Sequence, residues 1–328
     1  MLTRSTSEET NVLPPYFANA VVCPICKSDL VQSAETVTCQ NTSCGATFRF
    51  VGQSIVLADE ATAPVSFDAK WNDLNKSKAK SYANRYLPTL DYNVVPDSTK
   101  EYLTQEILKL AKRPVVVNIG GKHPTSITGD ICARDDIDDI ECDLAYRPRT
   151  RLLANPEQLP FADNSADAVL MDAILEHVAN PQDVVAEAWR VLKPNGIVYS
   201  DTPFMVQVHG GAFDYTRFSK QGHRWMFRNF KELKAGASSG PGAALAFAFQ
   251  SFLLSFTGST KARYAVKTFA RLTVFWLKYF DRYLAQRPQA LDAAQGLYFM
   301  GRKSETAISE RELIESYDGR VPHLFPPA

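Results

Sequence analysis

The feature that most constrains the fold of this chain is an apolar run that ends in two adjacent glycines. The run, VVVNIGG, covers Val115–Gly121. β-Branched residues bounded by a glycine turn are typical of a buried strand, and glycine lets the backbone approach a ligand closely. The pattern predicts a strand that leads into a nucleotide-binding turn, and it therefore favours an α/β fold.

Strands and helices are predicted to alternate on both sides of this run. STKEYLTQEILKLAKR, before it, predicts a helix with Ser98 as its N-cap. NPQDVVAEAWRVLKPNG predicts another, with Asn180 as the N-cap and Pro181 in the first helical position. Further strands are predicted at IDDIECDL, RTRLLAN, ADAVLMD, GIVYSDTPF and GLYFMGRK. Such alternation indicates a parallel sheet with helices on both faces.

Four of the six cysteines are grouped near the N-terminus, at Cys23, Cys26, Cys39 and Cys44. Two such knuckles can close a tetrahedron of thiolates around one Zn²⁺. Four sulfur ligands leave no open position, so the predicted site is structural. Two disulfides are the alternative, but the N-terminus has no apolar signal segment, and reduced thiols therefore favour zinc.

The patterns divide the chain into segments: a polar tail (1–20), a zinc ribbon (21–58), a helical linker (59–110), an α/β domain (111–303) with a helical insertion (236–295), and a second tail (304–328). Within the insertion, a basic amphipathic helix is predicted to carry Lys267, Arg271, Lys278 and Arg282 on one face. We expect it to cap the α/β domain or to contact a second subunit. The alternative is that 261–286 lies on a membrane surface or covers an apolar substrate.

Charge and hydropathy narrow the class of partner. The 36 basic and 36 acidic residues cancel, which disfavours a polyanion such as nucleic acid as the main partner. No apolar run reaches the roughly 18 residues of a membrane-spanning helix. These features predict a cytoplasmic protein, with peripheral membrane contact as the alternative.

One contiguous segment carries a resemblance to a known family. LPFADNSADAVLMDAILEHVANPQDVVAEAWRVLKPNGIVYSDTPF resembles the core of class I S-adenosylmethionine-dependent methyltransferases of the small-molecule, type 11-like group. The motifs LPF-x-D-x-S, LEHV and R-V-L-K-P-x-G occur in it in that order. The resemblance implies a Rossmann-like methyltransferase sheet, here with an N-terminal zinc ribbon, and S-adenosylmethionine as the cofactor.

The same resemblance implies cofactor-binding roles for residues that follow the strands. Gly120 and Gly121 would pass under the methionine part of the cofactor, and Asp143 would bind the ribose. The others are Asn155 and Leu159 beside the adenine, Asp172 and Ala173 beside the methyl sulfonium, and His177 in the motif after the fourth strand.

The chain departs from the family at the glycine turn. The family turn reads Gly-x-Gly, whereas this one reads Gly120-Gly121-Lys122 and continues as KHPTSITGDICARDD, which has little helical periodicity. Lys122 or His123 is expected near the cofactor carboxylate. Retained cofactor binding is favoured because the other cofactor positions agree with one another. The alternative is a loop that no longer binds cofactor.

The loop after the fifth strand, PFMVQVHGGAFDYTRFS, is the predicted acceptor site. His209 is the candidate general base because an imidazole titrates near neutral pH. It could equally be a surface residue. Asp214, Tyr215 and Arg217 are candidate substrate-binding residues, although a pair of Asp214 and Arg217 that only holds the loop is the favoured alternative for those two.

Three functions are compatible with these patterns. The first is methyl transfer to a small-molecule, glycan or lipid-linked acceptor, at oxygen or nitrogen. The second is an RNA methyltransferase whose ribbon contacts RNA, but the ribbon offers only Lys27 and Arg49 as cations. The third is a non-catalytic scaffold that keeps the fold, and only the altered glycine turn supports it.

Overall fold

The computed structural model describes residues 20–33, 35–65, 67, 87–120, 127–145 and 150–319. One mixed sheet of eleven strands organises this part of the chain. The strands are β1 (Leu30–Gln32), β2 (Thr36–Cys39), β3 (Thr47–Val51), β4 (Ser54–Val56), β5 (Val115–Ile119), β6 (Asp138–Asp143), β7 (Leu152–Leu153), β8 (Ala166–Asp172), β9 (Leu192–Pro203), β10 (Phe230–Ser239) and β11 (Gly296–Lys303).

Within the described ranges, eight α-helices flank the sheet or follow it. They are α1 (Asp97–Leu108), α2 (Ile127–Cys132), α3 (Pro181–Val191), α4 (Lys220–Met226), α5 (Pro241–Leu254), α6 (Thr260–Thr273), α7 (Asp281–Leu284) and α8 (Glu310–Glu315). Short 3₁₀ turns occur at Pro156–Gln158, Leu175–His177, Gly211–Phe213, Phe275–Phe280 and Pro288–Ala293.

The strand order in the sheet is β1-β2-β3-β4-β7-β6-β5-β8-β9-β11-β10. The central strands β7, β6, β5, β8 and β9 are parallel, and β11 lies antiparallel between β9 and β10. This order confirms the predicted α/β fold with a Rossmann-like parallel sheet. The parallel strands β5, β7 and β8 are mostly apolar and buried, as expected where both faces of a sheet are covered.

The cysteine-rich ribbon is joined to the same sheet. β4 pairs in parallel with β7 through Ile55 and Leu152, and Leu57 N donates to Leu153 O at 2.8 Å. The apolar ribbon side chains pack in one core cluster with residues around β7; they include Leu30, Val37, Phe48, Ile55 and Leu57. The ribbon thus covers a sheet edge that would otherwise leave backbone donors and acceptors unpaired.

The insertion begins later than its predicted start at residue 236, because β10 runs to Ser239 and the helices start at Pro241. The sequence did not predict β10, whose burial comes from pairing with β11. The prediction of a single basic amphipathic helix was also wrong. α6 ends at Thr273, and a 3₁₀ turn follows.

Two of the four residues expected on its basic face point inward instead. Lys278 is buried, and its Nζ donates to Thr89 O at 2.7 Å. Arg271 Nε donates to Pro88 O at 2.7 Å. Both cations therefore hold the chain around residues 87–91 against the insertion and are not available to a membrane surface.

A buried carboxylate holds the first insertion helix. Asp281 is fully buried, and its two oxygens accept from Gly242 N at 2.6 Å and Ala243 N at 2.8 Å, at the N-terminus of α5. These amides have no partner inside the helix, and the helix dipole favours an anion at this end. Gly240 and Gly242 leave room for the carboxylate, because an added Cβ would lie within 3 Å of it.

We expect Asp281→Ala to lower the free energy of unfolding by about 2 kcal/mol, because two helix N-terminal amides lose a charged acceptor. Chemical denaturation measures the change. Asp97→Ala is the matched control, since that first-turn carboxylate of α1 is 90% exposed and its loss should cost less than about 0.5 kcal/mol. Equal losses in the two variants would contradict the capping role.

Candidate active site

A cleft opens at the carboxyl ends of the parallel strands, where α/β sheets bind their ligands. Its volume is about 290 Å³. Segments that follow β5, β6, β7 and β8 line it. The lining residues are Ile119, Gly120, Cys142, Asp143, Leu144, Ala154, Pro156, Ala173, Ile174, His177 and Val178.

Gly120 forms the floor of the cleft, directly after β5. Its φ is +90°, and its amide donates to Cys142 O at 2.8 Å. A Cβ on this residue would lie 1.9 Å from Ile174 Cδ1. Both the backbone conformation and the space therefore require glycine. Gly121, Lys122 and His123 lie outside the described residues.

Asp143 ends β6 on the opposite wall of the cleft. Its Oδ1 accepts from Ala145 N at 3.0 Å, and its carbonyl accepts from Ala154 N at 3.1 Å. These contacts fix the position of the carboxylate beside the cleft. A carboxylate at the end of the second strand is suited to accept hydrogen bonds from ribose hydroxyls.

The segment after β8 closes one side of the cleft in a strained conformation. Ala173 has φ of +55°, which is uncommon for a residue with a side chain, and its amide donates to Asp201 O at 3.0 Å. Thr128 Oγ1 donates to Asp172 Oδ2 at 3.3 Å. Burial and the neighbouring carboxylate of Asp172 raise the pKa of Asp201 well above its usual value.

The two residues predicted beside the adenine have other contacts. Asn155 caps the 3₁₀ turn that follows it, where its Oδ1 accepts from Glu157 N at 3.0 Å. Leu159 is fully buried in the core, and its carbonyl accepts from Lys27 Nζ at 2.9 Å and Arg190 Nη2 at 3.1 Å. Ala154 and Pro156, which the sequence did not single out, line this end of the cleft instead.

Three titratable side chains meet beside the cleft wall formed by His177. His177 Nε2 lies 3.6 Å from Glu176 Oε1, and His209 Nε2 lies 3.7 Å from the same oxygen. The two imidazole rings are 4.9 Å apart, nearly perpendicular. The structure thus brings His209, predicted in the acceptor loop, next to a residue that lines the cleft.

The pKa of His209 is raised because its Nε2 faces the carboxylate of Glu176. A protonated imidazole cannot accept a proton, so this shift works against a role as general base near neutral pH. Glu176 itself was missed by the sequence analysis. The signal was the glutamate that precedes the histidine in LEHV, but its side chain meets His209 only in the folded chain.

The other predicted acceptor-loop residues fix the loop. Asp214 Oδ1 pairs with Arg217 Nη1 at 2.6 Å, and Asp214 Oδ2 accepts from the amides of His209 and Gly210. The Arg217 contact holds the pKa of Asp214 well below its usual value. Tyr215 is half exposed, and its amide donates to Glu176 O at 2.8 Å. Of Asp214, Tyr215 and Arg217, Tyr215 is thus the residue most exposed to solvent.

The four grouped cysteines converge in the ribbon, and their sulfurs lie within 4.8 Å of one another. Cys26 Sγ is 3.4 Å from Cys39 Sγ, and Cys23 Sγ is 3.9 Å from Cys44 Sγ. Sulfurs about 2.3 Å from a tetrahedral zinc lie roughly 3.8 Å apart, so the donor set and its spacing fit Zn²⁺.

Comparison with known proteins adds a family match over part of the chain. Residues 136–200 match the family model described as a methyltransferase domain. No match to a curated protein was found. Among the described residues, no helix is long and apolar enough to cross a membrane.

Solved structures similar to this chain include the [4+2]-cyclase SpnF (14% identity, TM-score 0.39, 66% of this chain and 86% of that one). A second is phosphoethanolamine N-methyltransferase 2 from Haemonchus contortus with S-adenosyl-L-methionine (12%, 0.40, 63% and 53%). A third is geranyl diphosphate C-methyltransferase from Streptomyces coelicolor A3(2) with S-adenosyl-L-homocysteine (12%, 0.40, 63% and 76%).

The segment that matches the family model coincides with the centre of the sheet. The matched residues run from the approach to β6 through most of β9 and include most of the cleft wall. The parallel strands with an antiparallel β11 between β9 and β10 complete the fold. Residues 136–200 of the chain are therefore similar to a methyltransferase domain, and they lie in the parallel sheet and along the cleft at its carboxyl ends.

Proposed function

We propose that the enzyme transfers a methyl group from S-adenosylmethionine to an oxygen of a small-molecule acceptor. The proposal rests on one observation: the side chains of Glu176, His177 and His209 lie together at one wall of the proposed cofactor cleft. A carboxylate and two imidazoles can bind or polarise a hydroxyl there. The acceptor oxygen attacks the methyl carbon in line with the sulfonium, and the protein mainly positions the two partners.

In the cleft, we assign the methionine part of the cofactor to Gly120 and Ala173, and its ribose to Asp143. Support comes from the close backbone approach that Gly120 allows and from the fixed carboxylate of Asp143. Asp172 lies beside Ala173 and is assigned to the sulfonium side of the cleft.

The helical insertion supports an acceptor with an apolar part. α5 contacts the acceptor loop, since Ser251 Oγ donates to Gln207 Oε1 at 3.3 Å. The insertion also leaves large apolar side chains exposed, including Phe252, Phe256, Phe269, Trp276, Phe280 and Tyr283. A lipid-linked acceptor, or peripheral contact of 261–286 with a lipid surface, would use this character, because exposed apolar patches mark interaction sites.

RNA as the acceptor has less support. Both ribbon cations already have acidic partners within the protein: Lys27 Nζ lies 3.4 Å from Glu187, and Arg49 Nε lies 2.8 Å from Glu60. Phosphate binding by the ribbon would have to break these pairs. A salt-sensitive shift of RNA by the wild-type protein would revive this acceptor class.

Calorimetric titration with S-adenosylhomocysteine tests the cofactor assignment. We expect the wild-type protein to bind, and Asp143→Ala to bind about 10–100-fold more weakly, because charge-assisted hydrogen bonds to the ribose contribute roughly 1.5–3 kcal/mol. Asp135→Ala is the control, since Asp135 is exposed and outside the cleft. Equal affinities for the wild type and Asp143→Ala would remove the proposed role of this residue.

A further inference from the structure

The carboxylate of Glu176 has an unusual environment for a buried charge. The residue is fully buried, and neither Oε1 nor Oε2 has a hydrogen-bond partner among the described residues. Burying a carboxylate without a partner costs several kcal/mol, so buried charges are normally paired or bind metals. The nearest groups are the Nε2 atoms of His177 and His209, both too distant for a hydrogen bond.

The distances suit three ligands of one ion. Nitrogen and oxygen ligands about 2.1 Å from a tetrahedral metal lie roughly 3.4 Å apart. The observed separations are 3.6 Å and 3.7 Å from Glu176 Oε1 to the two Nε2 atoms, and all three ligand atoms lie within 4.8 Å of one another. The two separations that involve Glu176 Oε1 are thus within a few tenths of an ångström of this value.

The Nδ1 atom of the His177 imidazole is hydrogen-bonded in a way that leaves its Nε2 atom available toward Glu176. His177 Nδ1 lies 2.6 Å from Phe213 O. A carbonyl only accepts, so Nδ1 carries the hydrogen and Nε2 presents its lone pair toward Glu176. His209 Nδ1 lies 3.4 Å from Gln207 O, which accepts, and 3.4 Å from Arg217 Nη2, which donates, so these contacts are compatible with either tautomer of His209. Carbonyl partners such as Phe213 O orient metal-binding histidines.

The backbone also fixes the two segments that meet here. The amide of Tyr215 donates to Glu176 O at 2.8 Å, which ties the loop after β9 to the turn after β8. Gly210 allows the loop to pass His177, because a Cβ there would lie 2.5 Å from the imidazole. The cluster is therefore built before any ion binds.

We propose that Glu176, His177 and His209 bind one divalent transition-metal ion, such as Zn²⁺, Fe²⁺ or Co²⁺. Two imidazoles and one carboxylate suit these ions better than Mg²⁺ or Ca²⁺, which prefer all-oxygen sites. Three protein ligands leave at least one coordination position open. The site is separate from the thiolate cluster of the ribbon, whose four sulfurs leave none.

The role of the ion rests on the proposed function. An acceptor hydroxyl that fills the open position becomes more acidic and releases its proton to solvent. Its oxygen then forms the new bond to the methyl carbon, while the carbon–sulfur bond breaks and its electron pair stays on sulfur. His209 acts in this scheme as a ligand and not as the base. The acceptor class is an alcohol or phenol whose oxygen can reach the ion.

Titration of the full chain with Co²⁺, after the ribbon has been loaded with zinc, tests the site. We expect one Co²⁺ per chain, with the weak d–d absorption of a nitrogen and oxygen site and without intense sulfur-to-cobalt charge-transfer bands. Glu176→Gln and His209→Ala should each weaken Co²⁺ binding by at least about 100-fold. Glu101→Gln is the matched control, since Glu101 is exposed on α1, and it should bind as the wild type does.

Parallel titration with S-adenosylhomocysteine separates this inference from the proposed function. The site is supported if Glu176→Gln and His209→Ala both lose Co²⁺ binding and still bind S-adenosylhomocysteine. Should Glu176→Gln fail to fold, the result for His209→Ala is used alone, because the His209 side chain is 42% exposed and its removal disturbs the core less. No Co²⁺ binding by a wild-type protein that binds cofactor overturns the metal site alone, as does Co²⁺ binding that both variants keep. Co²⁺ bound without cofactor supports the site and removes the proposed function.

Discussion

Gly120→Ala is expected to weaken the binding of S-adenosylhomocysteine at least about tenfold. The added Cβ would lie 1.9 Å from Ile174 Cδ1 and 2.6 Å from Ile174 Cγ1. Ile174 lines the cofactor cleft, so its displacement would fill space that the cofactor needs. The φ of +90° adds backbone strain of roughly 1–2 kcal/mol for any residue other than glycine. Calorimetric titration measures the affinity.

Two further variants distinguish obstruction of the cleft by Ile174 from backbone strain at position 120. Gly258→Ala is the matched control, because a Cβ at that position would contact nothing within 4 Å, and it should bind as the wild type does. Ile174→Ala combined with Gly120→Ala should recover part of the affinity if displaced Ile174 is the obstacle, while the loss of stability from strain remains. Unchanged affinity in Gly120→Ala would show that the cofactor does not approach this turn.

Removal of one ligand of the proposed ribbon zinc site is expected to destabilise the whole α/β domain. Cys39→Ser should abolish zinc binding by the thiolates and lower Tm by roughly 10 °C or more, because structural zinc contributes many kcal/mol to folding. Destabilisation of the ribbon should extend to the α/β domain because β4 pairs with β7 and because both parts share one apolar core. Thermal unfolding monitored by circular dichroism, with metal content measured by mass spectrometry, tests both parts.

The same substitution should also weaken cofactor binding. β7 leads directly into Ala154 and Pro156, which line the cleft, and the ribbon holds the following segment through Val22 N to Pro160 O at 2.9 Å. Cys132→Ala is the control, because Cys132 is a buried thiol outside the ribbon. It should cost about 1–2 kcal/mol for its cavity and leave the thiolate-bound zinc in place. A wild-type Tm in Cys39→Ser would mean that the ribbon does not support the domain.

Local patterns were enough to predict several parts of the site. The β-branched run before Gly120 predicted β5, and the glycine itself is required by its φ and by Ile174. Asp143 was identified because carboxyl ends of parallel strands share one edge of the sheet. The cysteine spacing predicted the thiolate cluster, since each knuckle brings its pair together through only a few residues.

Other features depended on contacts between distant parts of the chain. β10 carries no clear alternation, with buried and exposed residues irregularly placed, and it is a strand because it pairs with β11. The amphipathic segment 261–286 was misread as one helix because periodicity does not show where packing interrupts it, as at Thr273 and Val274. Lys278 looked exposed by pattern but donates to Thr89 across the fold.

The sequence by itself determined the parallel strands, the glycine after β5, the carboxylate at the end of β6 and the four grouped cysteines, because neighbouring residues specify each of them. Only the tertiary structure decided that the ribbon extends the sheet through β4 and β7, and that Glu176 and His177 meet His209 from another loop. Those contacts join residues far apart in sequence, and packing of the whole sheet places them.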